Sequence, residues 1–214
     1  AVVSMFAVNE LYIDWSVVPE VIEDPSIDAL LKRPYIVHDK VDFNDVLCRE
    51  EVAALRASEH FNGVTAVRNN GRYRDYQRFV RANMHWLDAY ADFMTRHYER
   101  QDTLQRERWK KMHYYAQWIG YEQLKAALED VKTSGGHPLF DYPMFRSRDG
   151  LDVALHSRYF KNVGMRCPGI VNQWQISIWA DLVLWDWAEC RKDDFAAMLA
   201  PLDHWLQFGF EGVR

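Results

Sequence analysis

Two polar residues stand near the predicted ends of short strands. Asp141 follows the apolar pair at 139–140 and precedes Tyr142, so its carboxylate is expected at the end of a strand beside an aromatic ring. Arg214 lies within the strand that residues 211–214 are predicted to begin. If these strands belong to a (β/α) barrel, polar residues at their C-terminal ends face the active site. Asp141 and Arg214 are therefore candidates for chemistry, while a turn or helix cap is the other interpretation of Asp141.

Tryptophan and tyrosine are abundant, with nine tryptophans and eleven tyrosines in the chain. Their flat rings suit the apolar C–H faces of sugars, and the same rings also fill protein cores. Retaining glycoside chemistry needs two carboxyl groups about 5 Å apart. Asp193 and Asp194 are adjacent at a predicted helix start and point in different directions, so no such pair is evident. The candidate stacking residues are Trp174, Trp179, Trp185 and Trp187.

Composition and motifs disfavour other kinds of chemistry. The chain has 26 Lys and Arg against 31 Asp and Glu and no basic block, which argues against nucleic acid or an anionic membrane as a partner. It has no uncharged apolar run of about 18 residues, the length that spans a bilayer. Cys48, Cys167 and Cys190 are too widely spaced for a zinc site, and phosphate-loop and nucleophile-elbow motifs are missing. We expect no metal or cofactor, and sugar or protein partners remain open.

Helical periodicity dominates the middle of the chain. A helix is predicted from about Asp42, with Asp42 or Asn44 as its N-cap, and is expected to fade after Ala57. Two longer helices follow, each with one apolar stripe, and Ser134 with the two glycines after it ends the second.

Short strands and turns are predicted on both sides of these helices. Residues 2–14 end in a strand or extended segment at 11–14, before a loop that holds Pro19, Pro25 and Pro34. Residues 138–145 are predicted to form a short buried strand, and the pattern at 174–187 leaves loop, strand and helix open.

The C-terminal third is predicted to alternate strand, helix and strand. A short helix is expected around 151–155, and a longer one runs through Leu206 from an acidic first turn at Asp193 and Asp194. A strand is predicted to begin at 211–214, and this order is typical of a parallel barrel. The chain begins without an initiator methionine or secretory signal and stops where a strand begins, so we expect both ends to be internal positions of a longer protein.

Five collinear segments follow the patterns of one enzyme family. Residues 4–14 are similar to S-A-F-A-x-N-P-L-Y-I-D, with Glu10 at the position of the proline, and residues 141–145 are similar to the end of G-D-x-P-I-F, with Phe140 at the glycine. The other three are residues 41–47, the W-L-x-x-Y-A-x-F stretch at 86–93 and the F-x-Q-W-x-x-x-x-Q-L stretch at 115–124. Together they resemble the amylomaltases, the 4-α-glucanotransferases or disproportionating enzymes of the α-amylase clan.

The resemblance implies a fold and its division. It implies an α/β fold, a partial (β/α)8 TIM barrel with a helical insertion subdomain. Residues 1–41 would form a barrel segment and loop, 42–132 the helical insertion, and 133–214 barrel strands and helices that end at the strand before the nucleophile. It also implies a cytoplasmic enzyme without a cofactor, whose open barrel edges invite association.

The resemblance also implies an activity and site residues. The family transfers α-1,4-glucan segments between maltooligosaccharides by a retaining double displacement. Arg214 would orient the nucleophilic aspartate and keep it ionised, whereas the nucleophile and the acid/base glutamate are expected beyond Arg214. Substrate contacts would come from Asp141, Asn9, Tyr142 and Trp174, the last in an approximate match to a G-Q-x-W-G loop.

Two other functions remain open from the sequence. An α-amylase-clan hydrolase or branching enzyme would use water or a chain hydroxyl as the acceptor. A helical α+β domain that binds a protein or glycan without catalysis would use its aromatic residues as core.

Overall fold

The computed structural model describes residues 3–32, 36–37, 40–65, 71–97, 103–161 and 182–214. The chain divides into two compact units. We call residues 8–124 the helical unit, and residues 1–7 with 125–214 the terminal unit, because it holds both chain ends. The predicted division into residues 1–41, 42–132 and 133–214 stays a prediction.

Caps and prolines set the starts of the first elements in the helical unit. Asn9 and Asp14 each accept a hydrogen bond from the backbone N–H two residues on. Pro19 and Pro25 begin the first two helices. Proline suits this position because the first residue of a helix needs no backbone N–H for a hydrogen bond within the helix. The expected loop is therefore helical around Pro19 and Pro25, whereas Pro34 lies outside the described residues. Of the expected extended segment at 11–14, only Ile13 and Asp14 are extended. The elements are the 3₁₀ turns Glu10–Tyr12 and Trp15–Val17 and the helices α1 (Pro19–Ile22) and α2 (Pro25–Leu31).

The predicted helices of the middle region are confirmed. Asp42 is the N-cap of the first, accepting from the N–H groups of Asn44 and Asp45 at 3.1 Å. That helix continues to His60 instead of ending near Ala57, and Gly135, with φ +80°, follows the last one. The elements are an antiparallel hairpin of β1 (Ile36–Val37) and β2 (Lys40–Val41), then α3 (Phe43–His60), a π-helical turn (Phe61–Thr65), α4 (Gly71–His97) and α5 (Thr103–Thr133).

Aromatic rings form the core of the helical unit. Phe61 is fully buried, with its ring centroid 5.0 Å from that of Tyr115 and 5.2 Å from those of Tyr76 and Trp118. Offset and edge-on contacts at such distances add to the stabilisation from burial alone. These rings therefore pack the π-helical turn against α4 and α5.

The described residues of the terminal unit form two small sheets. Strands β3 (Leu139–Phe140) and β7 (Gly212–Val213) pair in parallel, as predicted for the C-terminal third. Strand β6 (Leu182–Trp185) lies between β4 (Arg146–Ser147) and β5 (Phe160–Lys161), antiparallel to both. Within the described ranges, β3 and β7 are thus the one parallel pair. The helices of this unit outside α5 are α6 (Leu151–Leu155), α7 (Trp187–Arg191) and α8 (Ala196–Phe208).

Three predictions for this unit need correction. The strand expected at 138–145 is shorter, and its Leu139 is 59% exposed instead of buried. The acidic pair does not form the first turn of α8: Asp194 and Phe195 have positive φ angles, and the helix begins at Ala196. Asp194 and Phe195 therefore belong to a tight turn between α7 and α8, and not to the first turn of α8.

The helices around 151–155 and through Leu206 are confirmed. Trp174 and Trp179 lie outside the described residues. Among the helices that the structure describes, none has the length and apolar character needed to cross a membrane.

Candidate active site

Asp141 and Arg214 lie side by side at the C-terminal ends of β3 and β7. The strands pair Leu139 with Gly212 and Phe140 with Val213, so the next residue of each strand falls at the same edge. The arrangement continues past the strands, because the Arg214 N–H donates to the Phe140 carbonyl at 2.9 Å and the Tyr142 N–H donates to the Arg214 carbonyl at 3.0 Å.

The two side chains form a bidentate ion pair. Arg214 donates from Nε to Oδ1 of Asp141 at 3.1 Å and from a terminal nitrogen to Oδ2 at 2.7 Å. Hydrogen bonds from the guanidinium hold the pKa of the Asp141 carboxyl below its usual value, and the carboxylate raises the pKa of Arg214. Both side chains are largely exposed, at 68% and 78%, so water screens the pair and leaves both groups open to a ligand.

Gly212 lies opposite Leu139 in the strand pair. A Cβ on Gly212 would lie 2.9 Å from Cδ2 of Leu139, the end of a side chain that is 59% exposed and therefore has room to shift.

Aromatic contacts support the strands from one side. The Phe140 ring lies 5.6 Å from Trp205 and 5.7 Å from Phe210. The Trp205 indole N–H donates to the carbonyl of Met5 at 2.7 Å, so the first described residues of the chain join this packing. Phe140, where the family pattern has a glycine, thus packs β3 against Trp205 of helix α8 and against Phe210.

Tyr142 points into the protein. Its ring is buried, and its hydroxyl donates to the Met198 carbonyl at 3.0 Å while it accepts from Arg146 at 3.0 Å. Burial raises the pKa of this phenol. Its predicted contact with substrate stays a prediction, and in the structure the hydroxyl fixes the turn that follows Asp141.

A buried arginine below this turn was not foreseen from the sequence. Arg146 is 2% exposed, lies 3.5 Å from Oδ2 of Asp152 and has its guanidinium 5.2 Å from the ring centres of Tyr142 and Trp185. Burial raises the pKa of Asp152 despite the arginine, and the Met5 N–H donates to the same carboxylate at 3.1 Å. The positions of Arg146 and Asp152 in the sequence gave no sign of this pair.

The other predicted sugar-contact residues do not belong to the described strand pair whose ends carry Asp141 and Arg214. Asn9 is exposed in the helical unit and caps the turn Glu10–Tyr12 through its side-chain oxygen. Trp174 lies outside the described residues. Trp185 is buried and donates from its indole N–H to the Met144 carbonyl at 2.9 Å, whereas Trp187 is 49% exposed.

Sequence reasoning also missed a buried polar network in the helical unit. The Glu10 carboxylate accepts from Tyr90, Gln117 and His113, all at 3.0 or 3.1 Å. The departure of Glu10 from the proline of the family pattern was the one signal that could have indicated it. Within the described part of the chain, no group of three or more His, Cys, Asp or Glu is arranged to hold a metal ion.

Comparisons with known proteins identify a family for this chain. The family model described as 4-alpha-glucanotransferase matches residues 1–210. The chain belongs to this family. No curated protein sequence matches it significantly.

A solved structure of amylomaltase from Streptococcus agalactiae in complex with acarbose is similar in fold. The TM-score is 0.72 at 16% identity, over 99% of this 4-alpha-glucanotransferase family member and 47% of that chain. The chain described here thus spans about half the length of that amylomaltase. At this identity the likeness shows the fold alone.

Proposed function

We propose that this chain is part of a cytoplasmic 4-α-glucanotransferase that transfers α-1,4-glucan segments between maltooligosaccharides by a retaining double displacement. One observation carries the proposal: in this chain, which belongs to the 4-alpha-glucanotransferase family, Asp141 and Arg214 lie together at the C-terminal ends of two parallel strands. We assign β3 and β7 to a (β/α)8 barrel and residues 42–132 to its helical insertion.

Arg214 has donors to spare for a second carboxylate. A guanidinium carries five N–H groups, and Asp141 takes only two of them. In a retaining transfer, a carboxylate attacks the anomeric carbon while an acid protonates the departing sugar oxygen. An acceptor hydroxyl then displaces the carboxylate and gives its proton to the residue that acted as the acid, which now acts as the base. We assign to Arg214 the role of orienting that nucleophile and holding it ionised, with Asp141 fixing the plane of the guanidinium. Nucleophile and acid/base are not assigned to this chain.

The substrate class follows from the same edge. Asp141 retains acceptor capacity toward sugar hydroxyls, because a carboxylate offers about four lone-pair sites and its side chain is 68% exposed. We propose that it contacts the donor glucan, with Tyr142 shaping the adjoining turn. Asn9 and Trp174 remain proposed glucan contacts by resemblance. The amylomaltase of similar fold was solved with acarbose, which supports an α-glucan as the ligand.

A binding experiment tests the assignment. Maltoheptaose is titrated calorimetrically into the protein and into Asp141→Asn, which keeps the size of the side chain but removes its charge. We expect the variant to bind about tenfold more weakly, the effect of losing one charge-assisted hydrogen bond.

The chain offers a matched control at the opposite end of the same strands. His137 and Glu211 form an exposed pair at 2.5 Å, just before β3 and β7. Glu211→Gln is expected to leave maltoheptaose binding unchanged. Equal affinities for both variants and the unaltered protein would contradict the proposed site, and no binding by the unaltered protein would contradict the proposed function.

Turnover provides a separate measurement. We expect no disproportionation of maltotriose by the 214-residue chain, because nucleophile and acid/base are not assigned to it. Formation of glucose and longer oligomers by a pure, mass-verified sample would contradict this expectation, and release of shorter sugars alone would indicate hydrolysis.

A further inference from the structure

Two glutamines of α5 hold both ends of the segment Val8–Asp14. The Gln117 side chain donates to the Val8 carbonyl and accepts from the Val8 N–H, both at 2.9 Å. Gln123 makes the same two-way contact with Asp14, at 2.8 and 2.9 Å. Each side-chain amide bonds both backbone groups of one residue, as a neighbouring strand would do in a sheet. The segment is therefore fixed at each end.

A glycine between the two glutamines lets the segment lie close to the helix. Gly120 is three residues from each glutamine, so all three occupy one face of α5. A Cβ on Gly120 would lie 3.3 Å from Cγ1 of Val8 and 3.5 Å from Cγ1 of Ile13. We call Gln117, Gly120 and Gln123 the clamp.

Glu10 fixes the middle of the same segment. Its Oε1 accepts from the Tyr90 hydroxyl at 3.1 Å and from Gln117 Nε2 at 3.0 Å, and Nδ1 of His113 lies 3.1 Å from both carboxylate oxygens. Tyr90, His113 and Gln117 are each 3% exposed or less, so these donors depend on the carboxylate for satisfaction. The Glu10 side chain is thus bound to residues of the helical unit on the inward side of the segment.

The outward side of the segment remains open to solvent. Tyr12 is 82% exposed, and Asn9 is exposed beside it on the same 3₁₀ turn. Two hydrogen bonds to Asn9 close the turn. The Tyr12 N–H donates to the Asn9 carbonyl at 3.0 Å, and the Leu11 N–H donates to Asn9 Oδ1 at 3.2 Å. A rigid turn that displays an aromatic face and an amide has the chemistry that recognises a sugar ring.

We infer that the turn Glu10–Tyr12 is a glucan-contact element of the helical unit, in which Tyr12 stacks on a glucose ring and Glu10 is the positioning residue. This inference rests on the proposed function, which supplies the α-glucan as ligand. Glu10 touches no substrate in this assignment. It acts by holding Asn9 and Tyr12 in the geometry that the sugar meets, at no cost in ordering when the ligand binds.

The position of Glu10 offers a way to separate its positioning role from its structural one. Glu10 is the first residue of the turn, where proline fits because its fixed φ suits a helix start and its missing N–H is not needed. Glu10→Pro therefore keeps the turn while it removes the carboxylate. Glu10→Ala removes the carboxylate without adding the backbone restraint that proline would supply.

The test titrates maltoheptaose into four variants and the unaltered protein. We expect Tyr12→Ala to weaken binding about fivefold, as for the loss of one stacking contact. Phe43→Ala, a matched control because Phe43 is 68% exposed in the same unit, is expected to bind normally. Glu10→Ala is expected to bind about as weakly as Tyr12→Ala, and Glu10→Pro to recover most of the affinity. Both Glu10 variants lower the free energy of unfolding, because Tyr90, His113 and Gln117 lose their acceptor.

Affinity and stability together decide the outcome. A purely structural Glu10 would lower stability in both of its variants and change the affinity of neither folded protein, which would overturn the positioning role. Normal binding by Tyr12→Ala would overturn the contact. If Asp141→Asn still weakens binding in that case, the proposed function stands without this inference, and an unaltered protein that binds no maltoheptaose overturns both.

Discussion

The strand edge of the terminal unit and the buried network around Glu20 in the helical unit use the same ionic chemistry in opposite surroundings. Asp141 and Arg214 pair in the open, with both side chains more than two-thirds exposed. Glu20 is 4% exposed and accepts from Arg72 and from the Tyr115 hydroxyl, the latter at 2.7 Å. The exposed pair is available to a ligand, whereas the buried one is available only to its neighbours.

The difference between these regions separates function from stability. Water screens an exposed ion pair, so its removal changes the free energy of unfolding little. A buried charge that loses its partner stays desolvated, so removal of one member costs several kcal/mol. We therefore expect substitutions at the edge to change binding, and substitutions in the network to change folding.

The largest effect is expected from Glu20→Ala. The substitution leaves the buried Tyr115 hydroxyl and the Arg72 guanidinium without their acceptor, at a cost of about 3 kcal/mol in the free energy of unfolding. The measurement is urea denaturation followed by circular dichroism. Glu20→Gln keeps an acceptor for Tyr115 and is expected to lose about half as much. A Glu20→Ala variant as stable as the unaltered protein would remove the contrast between the two regions.

A smaller effect is expected from Gly120→Val in the clamp. The added side chain must enter the space occupied by Val8 and Ile13, where even a Cβ would be 3.3 Å from the nearest atom. Overpacking of this kind costs about 2 kcal/mol. Gly63 is the control, because a Cβ there meets no atom within 4 Å, and Gly63→Val is expected to be tolerated. Equal stabilities of the two variants would mean that the segment does not depend on its contact with α5.

The sequence predicted the long helices well because their patterns are local. Apolar stripes at helical spacing and the Asp42 cap are fixed by neighbouring residues, and both were confirmed. The short terminal elements depend on distant partners. The turn at Asp194 and Phe195 and the exposure of Leu139 follow from packing that no local pattern records.

The candidate site shows the same limit. The strand-end position of Asp141 could be predicted from residues 139–143, and the parallel pairing brings Arg214 beside it. Gln117 and Gln123 stand in a family-like segment, yet only the fold shows that they hold Val8 and Asp14, more than 100 residues away. Side-chain contacts with backbone at that separation leave no period or spacing in the sequence.

The pH dependence of stability sharpens the comparison further. Burial raises the pKa of Glu50 in α3 to about 7, and the structure shows no partner for its buried Oε2 among the described residues. Because the folded pKa exceeds the ordinary value of 4.5, the contribution of Glu50 is complete below pH 4.5 and is lost as the pH rises through about 7. Glu50→Gln should remove this loss, measured as unfolding free energy at a series of pH values. Glu122→Gln, at an exposed position of α5, should leave the profile unchanged, and a profile unaltered by Glu50→Gln would contradict the assignment.

The smallest effect is expected at the strand edge, from Arg214→Lys. Lysine keeps the positive charge but cannot donate to both oxygens of Asp141 in one plane. The pKa of the Asp141 carboxyl, now held below its ordinary value of 3.8 by two hydrogen bonds, should move back toward that value in a carbon-detected NMR titration. A carboxyl whose pKa is lowered by folding stabilises the fold above pH 3.8, and this stabilisation is lost as the pH falls through the pKa of the folded state. At so exposed a pair, however, the change in the free energy of unfolding should be too small to measure. A measurable loss of stability in Arg214→Lys would show that the edge supports the fold as the buried network does, and its availability to a ligand would then need another explanation.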